Sequence, residues 1–402
     1  MSELHFDFRD VFRAGRYGFS GKKLTVHFFG LTLAYLIYEG LVYLSLLIAG
    51  GNAAGEFWNR YALLPVCPIV DYKLGPVTIG AMWLGLFVFF LIFFLTSTMV
   101  SKITIQQLRG DSFFSMKDSA VFLKIHWKAV FGAFVGLIII LILCMIVPTI
   151  VGLLGKIPWV GKIIVMFSSL LIPLAFFLGL LMVYLVLIMN VSLFFVPAVV
   201  AAADADTFET IYQHFSIVWN QPWRIAVYEI LLFSLKLVCV PIWAIFCLLG
   251  FTMMMFPIRH LHPTDMMYFM GNANVWLGKL IQKVAALPFL DGFAVFDTIA
   301  PSGGFSGFEM FCMRLTSIFI TVSLLFIIGL IVAYLFSIAS VGNTIIYTIL
   351  RRRVDGENLL EVEEQEDAFP DGSMPREEEV EGAPPENQSD TSEETPEDPA
   401  TK

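Results

Sequence analysis

Apolar residues gather into runs much longer than a buried helix of a soluble protein needs, at about Leu24–Gly50, Leu74–Val100, Ala129–Leu154, Ile163–Val191, Ile225–Phe256 and Thr316–Leu350. Each is long enough for a tilted helix to cross a hydrocarbon layer of roughly 30 Å. The pattern therefore predicts an all-α fold, a polytopic transmembrane helical bundle of about six spans. Two places strain that reading. Ile163–Ala203 is too long for one straight helix and carries Pro173 and Pro197, and Pro241 interrupts the fifth run, so helix geometry is expected to yield there. The polar stretches then divide the chain into an N-terminal amphipathic segment (1–23), a membrane domain (24–350) with a long outer loop (257–313), and a tail (351–402).

Composition agrees with the pattern, at 57% hydrophobic and 15% charged residues with a mean hydropathy of +0.78, and it excludes an ordinary soluble globule. The formal charge of -9 is unevenly placed. The tail holds 18 Asp and Glu against 5 Lys and Arg, leaving a body with 20 basic and 16 acidic residues. A tail rich in Pro, Glu, Ser and Thr with so few aliphatic residues has the composition of disorder. The N-terminus MSELHFDFRDVFRAGRYGFSGKK mixes acids with bases ahead of an apolar run too long for a signal peptide, so the first run is expected to be retained as a span. With both termini inside, the inner loops carry 14 Lys and Arg against 8 outside. That orients the chain with its termini in the cytoplasm, in the cell membrane. Of five cysteines, Cys144, Cys239 and Cys247 lie in apolar runs as packing groups. Cys67 and Cys312 fall in or beside predicted outer loops, where pairing is open and nothing in the spacing forces it.

The most informative feature is an approximate internal repeat. A span leads to a polar turn, a short amphipathic helix, a Trp-basic pair and a second span, first as QLRGDSFFSMKDSAVFLKIHWKAVFG and again as AADADTFETIYQHFSIVWNQPWRIAVYE. In the second copy Phe208, Ile211, Tyr212, Phe215, Val218 and Trp219 form one apolar stripe at helical spacing. Asp206 with Glu209, and Ser115 with Asp118 in the first copy, offer capping-box starts. Trp127-Lys128 and Trp223-Arg224 sit where an aromatic and a cation anchor the headgroup boundary. Both amphipathic segments are expected to lie along the cytoplasmic interface without crossing it.

The stretch NVSLFFVPAVVAAADADTFETIYQHFSIVWNQPWRI resembles a family of bacterial multispan proteins related to the membrane domain that precedes the catalytic domain of some glycerophosphoryl diester phosphodiesterases. The family's Pro-Ala-Val-Val run, acidic turn, amphipathic helix and basic-aromatic start of the next span fall here on Leu193–Val200, Asp204–Asp206, Phe208–Trp219 and Trp223-Arg224. Gly110–Lys128 looks like the family's first repeat, and the similarity covers roughly residues 75–260. The chain departs from the family at Ala202-Ala203 and at Tyr212, Gln213 and His214, where relatives often carry charge. It also has no His-x-Glu and His-Asp constellation and no α/β barrel region. The resemblance therefore implies a membrane module and not phosphodiesterase activity.

An ionisable group at membrane depth costs about 2.5–3.5 kcal/mol on insertion scales and usually faces protein or a cavity. Glu39 in the first run, and Glu229 and Lys236 in the fifth, are thus the candidate buried charges. Glu229 and Lys236 share a helix face but stand roughly 10 Å apart along it, too far for direct contact. Two arrangements are open: a Glu39–Lys236 pair between helices, or Glu229 at the interface near Arg224 with Lys236 snorkelling. His27, Asn190 and Ser192 read as satisfied packing groups. In the outer loop, Arg259-His260-Leu261-His262-Pro263-Thr264-Asp265 places His-x-His beside an acid, yet no further His or Cys cluster follows, and a solvated segment is expected in place of a metal site. Val275, Leu277, Leu280, Ile281, Val284 and Leu287 form a helical stripe suited to the outer surface, and Phe289–Gly307 lacks a phosphate-loop pattern.

Neither Gly-x-Ser-x-Gly nor a Walker A loop is present, so no enzyme, catalytic residue, metal or cofactor is expected. Two classes of function remain. One is a non-enzymatic scaffold or accessory module that works through interfacial helices, with the lipid bilayer and a basic protein for the acidic tail as partners and no nucleic acid. The other is a transporter or permease-like protein for a small solute or lipid, for which repeats, proline-interrupted spans and buried charges are characteristic.

Overall fold

The computed structural model describes residues 4–66, 74–278, 280–281, 307–356 and 358–361. Among these the helices are α1 (Phe8–Val11), α2 (Arg13–Gly18), α3 (Gly21–Ala49), α4 (Ala53–Tyr61), α5 (Pro76–Arg109), α6 (Met116–Leu154), α7 (Val160–Leu170), α8 (Ile172–Ala203), α9 (Thr207–Asn220), α10 (Pro222–Leu261), α11 (Pro263–Trp276) and α12 (Gly307–Asp355). Six of them, α3, α5, α6, α8, α10 and α12, are long and apolar enough to cross a bilayer. The chain is an all-α, multi-pass membrane protein.

Local chemistry sets the helix limits. Gly50 and Gly51, both at positive φ, end α3. Gly110, left-handed at φ 105, ends α5, and its N–H and that of Asp111 turn back to carbonyls of the last turn, as a glycine C-cap does. The Ser115–Asp118 capping box opens α6 with both reciprocal bonds. Pro76, Pro222 and Pro263 each stand at the first position of a helix, where a missing N–H costs nothing.

Several boundaries differ from those read in the sequence. The long fourth run breaks at Leu171, with Pro173 in the first turn of α8. Pro148, Pro197, Pro241 and Pro257 are instead carried inside continuous helices. The two repeats also diverge. In the second copy Pro222 forces the preceding Gln221 out of helical geometry (φ -139, ψ 47), so α9 is a separate helix. The first copy has no proline between Trp127 and the span, and its amphipathic segment is simply the beginning of α6. At about 1.5 Å per residue α12 is roughly 74 Å long, so it runs well past a hydrocarbon layer and through Arg351–Arg353 into what the sequence assigns to the tail. Residues 362–402 of that tail, Cys67, and Val284, Leu287 and Phe289 of the outer loop lie outside the described residues.

The main core lies at the end of the bundle that gathers Lys22, Lys23 and Arg351–Arg353, called here the basic end. α8 contributes Phe195–Ala202 and α5 contributes Val100–Ile105, both buried throughout, and every residue of α12 from Ser340 to Leu350 is buried. Small residues permit the close approach. A Cβ on Gly342 would stand 2.2 Å from Leu232 of α10, and one on Gly18 would stand 3.1 Å from the backbone of Ile338. The N-terminal segment is wedged into this core. Tyr334 and Ser337 donate to the carbonyls of Gly15 and Gly18 at 3.2 and 2.7 Å, and Arg353 reaches Asp7 at 3.2 Å. At the opposite end, smaller clusters pack α11 against α10 and α12, and α4 with Val66 against α3 and α5. There α6, α7 and α8 present mainly large apolar side chains outward.

Candidate functional site

The three candidate buried charges are not brought together. Glu39 is 8% exposed on α3, and its Oε1 is buried without a hydrogen-bond partner. It sits among tyrosines of its own helix that hold the turn after α4: Tyr35 donates to Leu63 O at 2.7 Å, and Tyr38 and Tyr43 donate to Val66 O and Ala62 O. Glu229 on α10 is half-buried, with Oε1 likewise unpartnered. Lys236, also half-buried, is two turns further along the same helix. Among the described residues Glu39 and Lys236 form no ion pair. The Trp-basic anchors stand at the surface, with Trp127 and Trp223 exposed by 47% and 64% and the Arg224 guanidinium 5.1 Å over the Trp223 ring.

A second polar assembly is built at the basic end, from residues that the sequence pattern counts as ordinary loop cations or packing groups. Lys23, fully buried at the start of α3, donates to Gln107 Oε1 of α5 at 2.9 Å. One turn on, His27 is fully buried with Nε2 3.1 Å from Ser340 Oγ of α12, while its Nδ1 has no partner. Its ring lies 6.4 Å from both Phe93 and Phe336, which pack 4.7 Å apart. Phe93, Ser97 and Ser101 follow one another at four-residue spacing on one face of α5. Both serine hydroxyls are buried without partners. A polar seam thus runs between α3, α5 and α12, bounded on its membrane side by His27, Phe93 and Phe336. Buried polar atoms left half-satisfied in this way are uncommon in native proteins.

Asn190 and Ser192 are by contrast satisfied by carbonyls one turn back, those of Val186 and Ile188.

Helix α9 is tied to this end through its polar side. Thr210, Gln213, His214, Ile217 and Val218 are its buried residues. Arg351 of α12 donates to Gln213 Oε1 and also pairs with Asp355. His214 Nδ1 lies 2.6 Å from Thr210 O, and because a carbonyl only accepts, Nδ1 carries the proton. Burial pushes the His214 imidazole down to about 4, against the raising effect of that backbone bond. Just before α9, Asp204 adopts a left-handed φ of 51 and accepts from Lys102 of α5, whose ammonium also lies 4.2 Å over the Phe122 ring of α6.

The apolar stripe read in the sequence is divided: Val218 is buried and Ile211 and Phe215 pack against the main core, while the remaining three aromatics face outward. On a helical wheel of 100° per residue, Phe208, Tyr212 and Trp219 occupy an arc opposite Thr210 and Ile217, the middle of the buried face. Phe208, Tyr212 and Trp219 are 81%, 67% and 74% exposed. Glu209, Ser216 and Asn220 form a polar rim between the two arcs. The stripe is therefore a packing face along one edge and an outward aromatic face along the other. That division was not legible in the sequence, because Gln213 and His214 find partners only once α12 is in place.

In the outer segment, His262 Nδ1 lies 3.7 Å from Asp265 Oδ2, both well exposed, and α10 runs on to Leu261. Among the described residues no group of three His, Cys, Asp or Glu side chains is placed to hold a metal ion. No family model, curated protein or solved structure matches the chain.

Proposed function

We propose that the protein is a non-enzymatic module of the bacterial cytoplasmic membrane, with both termini in the cytoplasm, that acts as a scaffold or accessory subunit by seating α9 in the cytoplasmic leaflet. One observation carries this reading: α9 turns Phe208, Tyr212 and Trp219 away from the bundle while its polar face is held by Arg351 and the neighbouring core. A soluble surface would not be expected to present three large aromatics in one arc, whereas the boundary between headgroups and acyl chains accepts them. Trp223 with Arg224, and Trp127 with Lys128, stand beside it as further anchors. The segment concerned is the one that resembles the membrane domains associated with phosphodiesterases, so a relation to that family is part of the proposal. The acidic tail, in this reading, recruits a basic protein.

The test is the depth of α9 in a bilayer. Spin labels placed singly at 208, 212 and 219 in the full chain in nanodiscs are expected to be accessible to oxygen and shielded from a water-soluble nickel chelate, and labels at 209, 216 and 220 the reverse. Equal chelate accessibility at both sets of positions would show α9 in water and end the proposal. A carrier for a small solute or lipid is the second reading, favoured by the half-satisfied seam around His27 and by the unpartnered carboxylates of Glu39 and Glu229. Glu39→Gln and Glu229→Gln in a proteoliposome uptake assay separate the two, since only a carrier loses flux.

A further inference from the structure

Glu39 is a carboxylate inside a span that the fold leaves without a partner. It lies ten residues before the Ala49 end of α3, about 15 Å along the axis by helical rise. The residue is 8% exposed, and its Oε1 is buried with no hydrogen bond. Among the described residues no Lys or Arg pairs with it. An ionised carboxylate in such surroundings is costly unless a positive group joins it.

The backbone beside it supplies the other half of a site. Tyr35, Glu39 and Tyr43 recur at four-residue spacing, one above another on a face of α3, and the two tyrosines donate to Leu63 O at 2.7 Å and to Ala62 O. The carboxylate between them therefore faces the turn at residues 62–63. Tyr38 fixes the far end of the same turn through Val66 O. Ala62, at φ 50 and ψ -117, is also the C-cap of α4, where the last carbonyls carry the negative end of the helix dipole. A carbonyl oxygen has two lone pairs, so the tyrosines leave one on Ala62 and one on Leu63. The turn is clamped from its other side as well. Leu63 N–H donates to Trp276 O at the end of α11 at 3.1 Å, and a Cβ on Gly278 would stand 2.5 Å from Leu64. Irregular backbone at membrane depth is tolerated where it is buried in protein or lines a polar site, and this stretch is held from both sides with oxygens turned toward an acid.

We propose that Glu39 and the carbonyls of Ala62 and Leu63 bind a monovalent alkali cation, sodium or potassium. Oxygen ligands alone select a hard cation over a soft one, and unwound backbone carbonyls at helix ends coordinate such ions in spanning proteins. Charge sets the valence. One carboxylate neutralises one positive charge, whereas a divalent ion would leave a net charge in hydrocarbon surroundings. The site is independent of how α9 is seated: in a scaffold the ion ties α3 to the turn, and in a carrier it is the coupling ion.

The experiment uses the full chain in zwitterionic nanodiscs at mildly alkaline pH and constant ionic strength. Choline chloride is replaced stepwise by sodium chloride in one arm and by potassium chloride in the other, and thermal unfolding and hydrogen exchange are read in both. Wild type is expected to gain stability saturably in at least one arm, with exchange slowed in residues 62–66, and the arm that responds identifies the ion. Glu39→Gln keeps the shape and removes the charge, and it is expected to weaken the effective affinity about tenfold to hundredfold, the worth of one contact to a charged group. Glu56→Gln, at an exposed acid of α4, keeps the wild-type response. Tyr35→Phe releases the Leu63 carbonyl and should weaken binding less than Glu39→Gln does. Should Glu39→Gln fold poorly, the slowing of exchange in residues 62–66 of wild type and its reduction in Tyr35→Phe carry the test. Identical unfolding in choline, sodium and potassium, or a Glu39→Gln response equal to wild type, overturns the proposal and leaves Glu39 a protonated acid.

Discussion

Gly342 offers a quantitative test of how the core at the basic end is closed. It lies in α12 where every neighbour from Ser340 to Leu350 is buried, and a Cβ there would fall 2.2 and 2.7 Å from the two methyls of Leu232 and 3.0 Å from its Cγ. Leu232 is itself fully buried, so its side chain has nowhere to turn. Replacing glycine by alanine in a helix contributes up to about 1 kcal/mol by propensity, while overpacking a filled core costs about 1–3 kcal/mol. Gly342→Ala is therefore expected to destabilise by roughly 1–2 kcal/mol. Gly250, in α10 with nothing within 4 Å of its added Cβ, supplies the contrast, and Gly250→Ala should be neutral or mildly stabilising. Leu232→Ala alone should cost about 2–5 kcal/mol. Combined with Gly342→Ala it should cost less than the sum, because the new methyl enters the space the leucine leaves. The assay is reversible unfolding in mixed micelles followed by helical circular dichroism, arranged as a double-mutant cycle. Additivity of the two changes within about 0.5 kcal/mol would refute the packing account.

Three further outcomes follow from other parts of the structure. Since burial holds His214 neutral down to about 4, against about 6.5 in an unfolded chain, the unfolded state binds the extra proton between those values. Stability is then complete above pH 6.5 and falls as pH drops toward 4, by up to about 3 kcal/mol; in His214→Asn this part of the pH dependence should flatten in equilibrium unfolding. Asp204→Asn keeps a side chain that tolerates the left-handed backbone and removes only the charge facing buried Lys102. The cost should be about 1–2 kcal/mol, limited because Asp204 is half exposed, and a Lys102→Met partner substitution should recover part of it. Tyr35→Phe removes the bond to Leu63 O and should speed hydrogen exchange in residues 62–66 while leaving the core at the basic end unchanged.

The long apolar runs made the six spans legible, because only a helix satisfies its backbone in hydrocarbon. The caps at Ser115 and Asp206 were equally visible as local patterns. The sequence did not reveal which prolines would break a helix. Pro173 sits at a helix start beside a break, whereas Pro241 and Pro257 are absorbed within α10. Nor did it separate Lys23 and Lys102 from the exposed cations of the same end. Both lie near helix ends and count as interfacial charges in any tally, and they become buried only because α3, α5, α8 and α12 converge there. The spacing of Lys23 with His27, and of Ser97 with Ser101, one turn apart in each case, was the available signal. It gains meaning once Ser340 arrives from more than three hundred residues away.

That convergence has a consequence for biosynthesis. Ser340–Leu350, the centre of the main core, belongs to α12, which is synthesised some three hundred residues after the α2 and α3 it packs against. The earlier helices α3, α5, α8 and α10 must accordingly wait in the bilayer with their small-residue faces and polar seam unpaired until α12 is inserted. A chain stopped before α12 should be inserted yet unassembled, a natural substrate for membrane quality control, and the arrival of α12 is the event that closes this core.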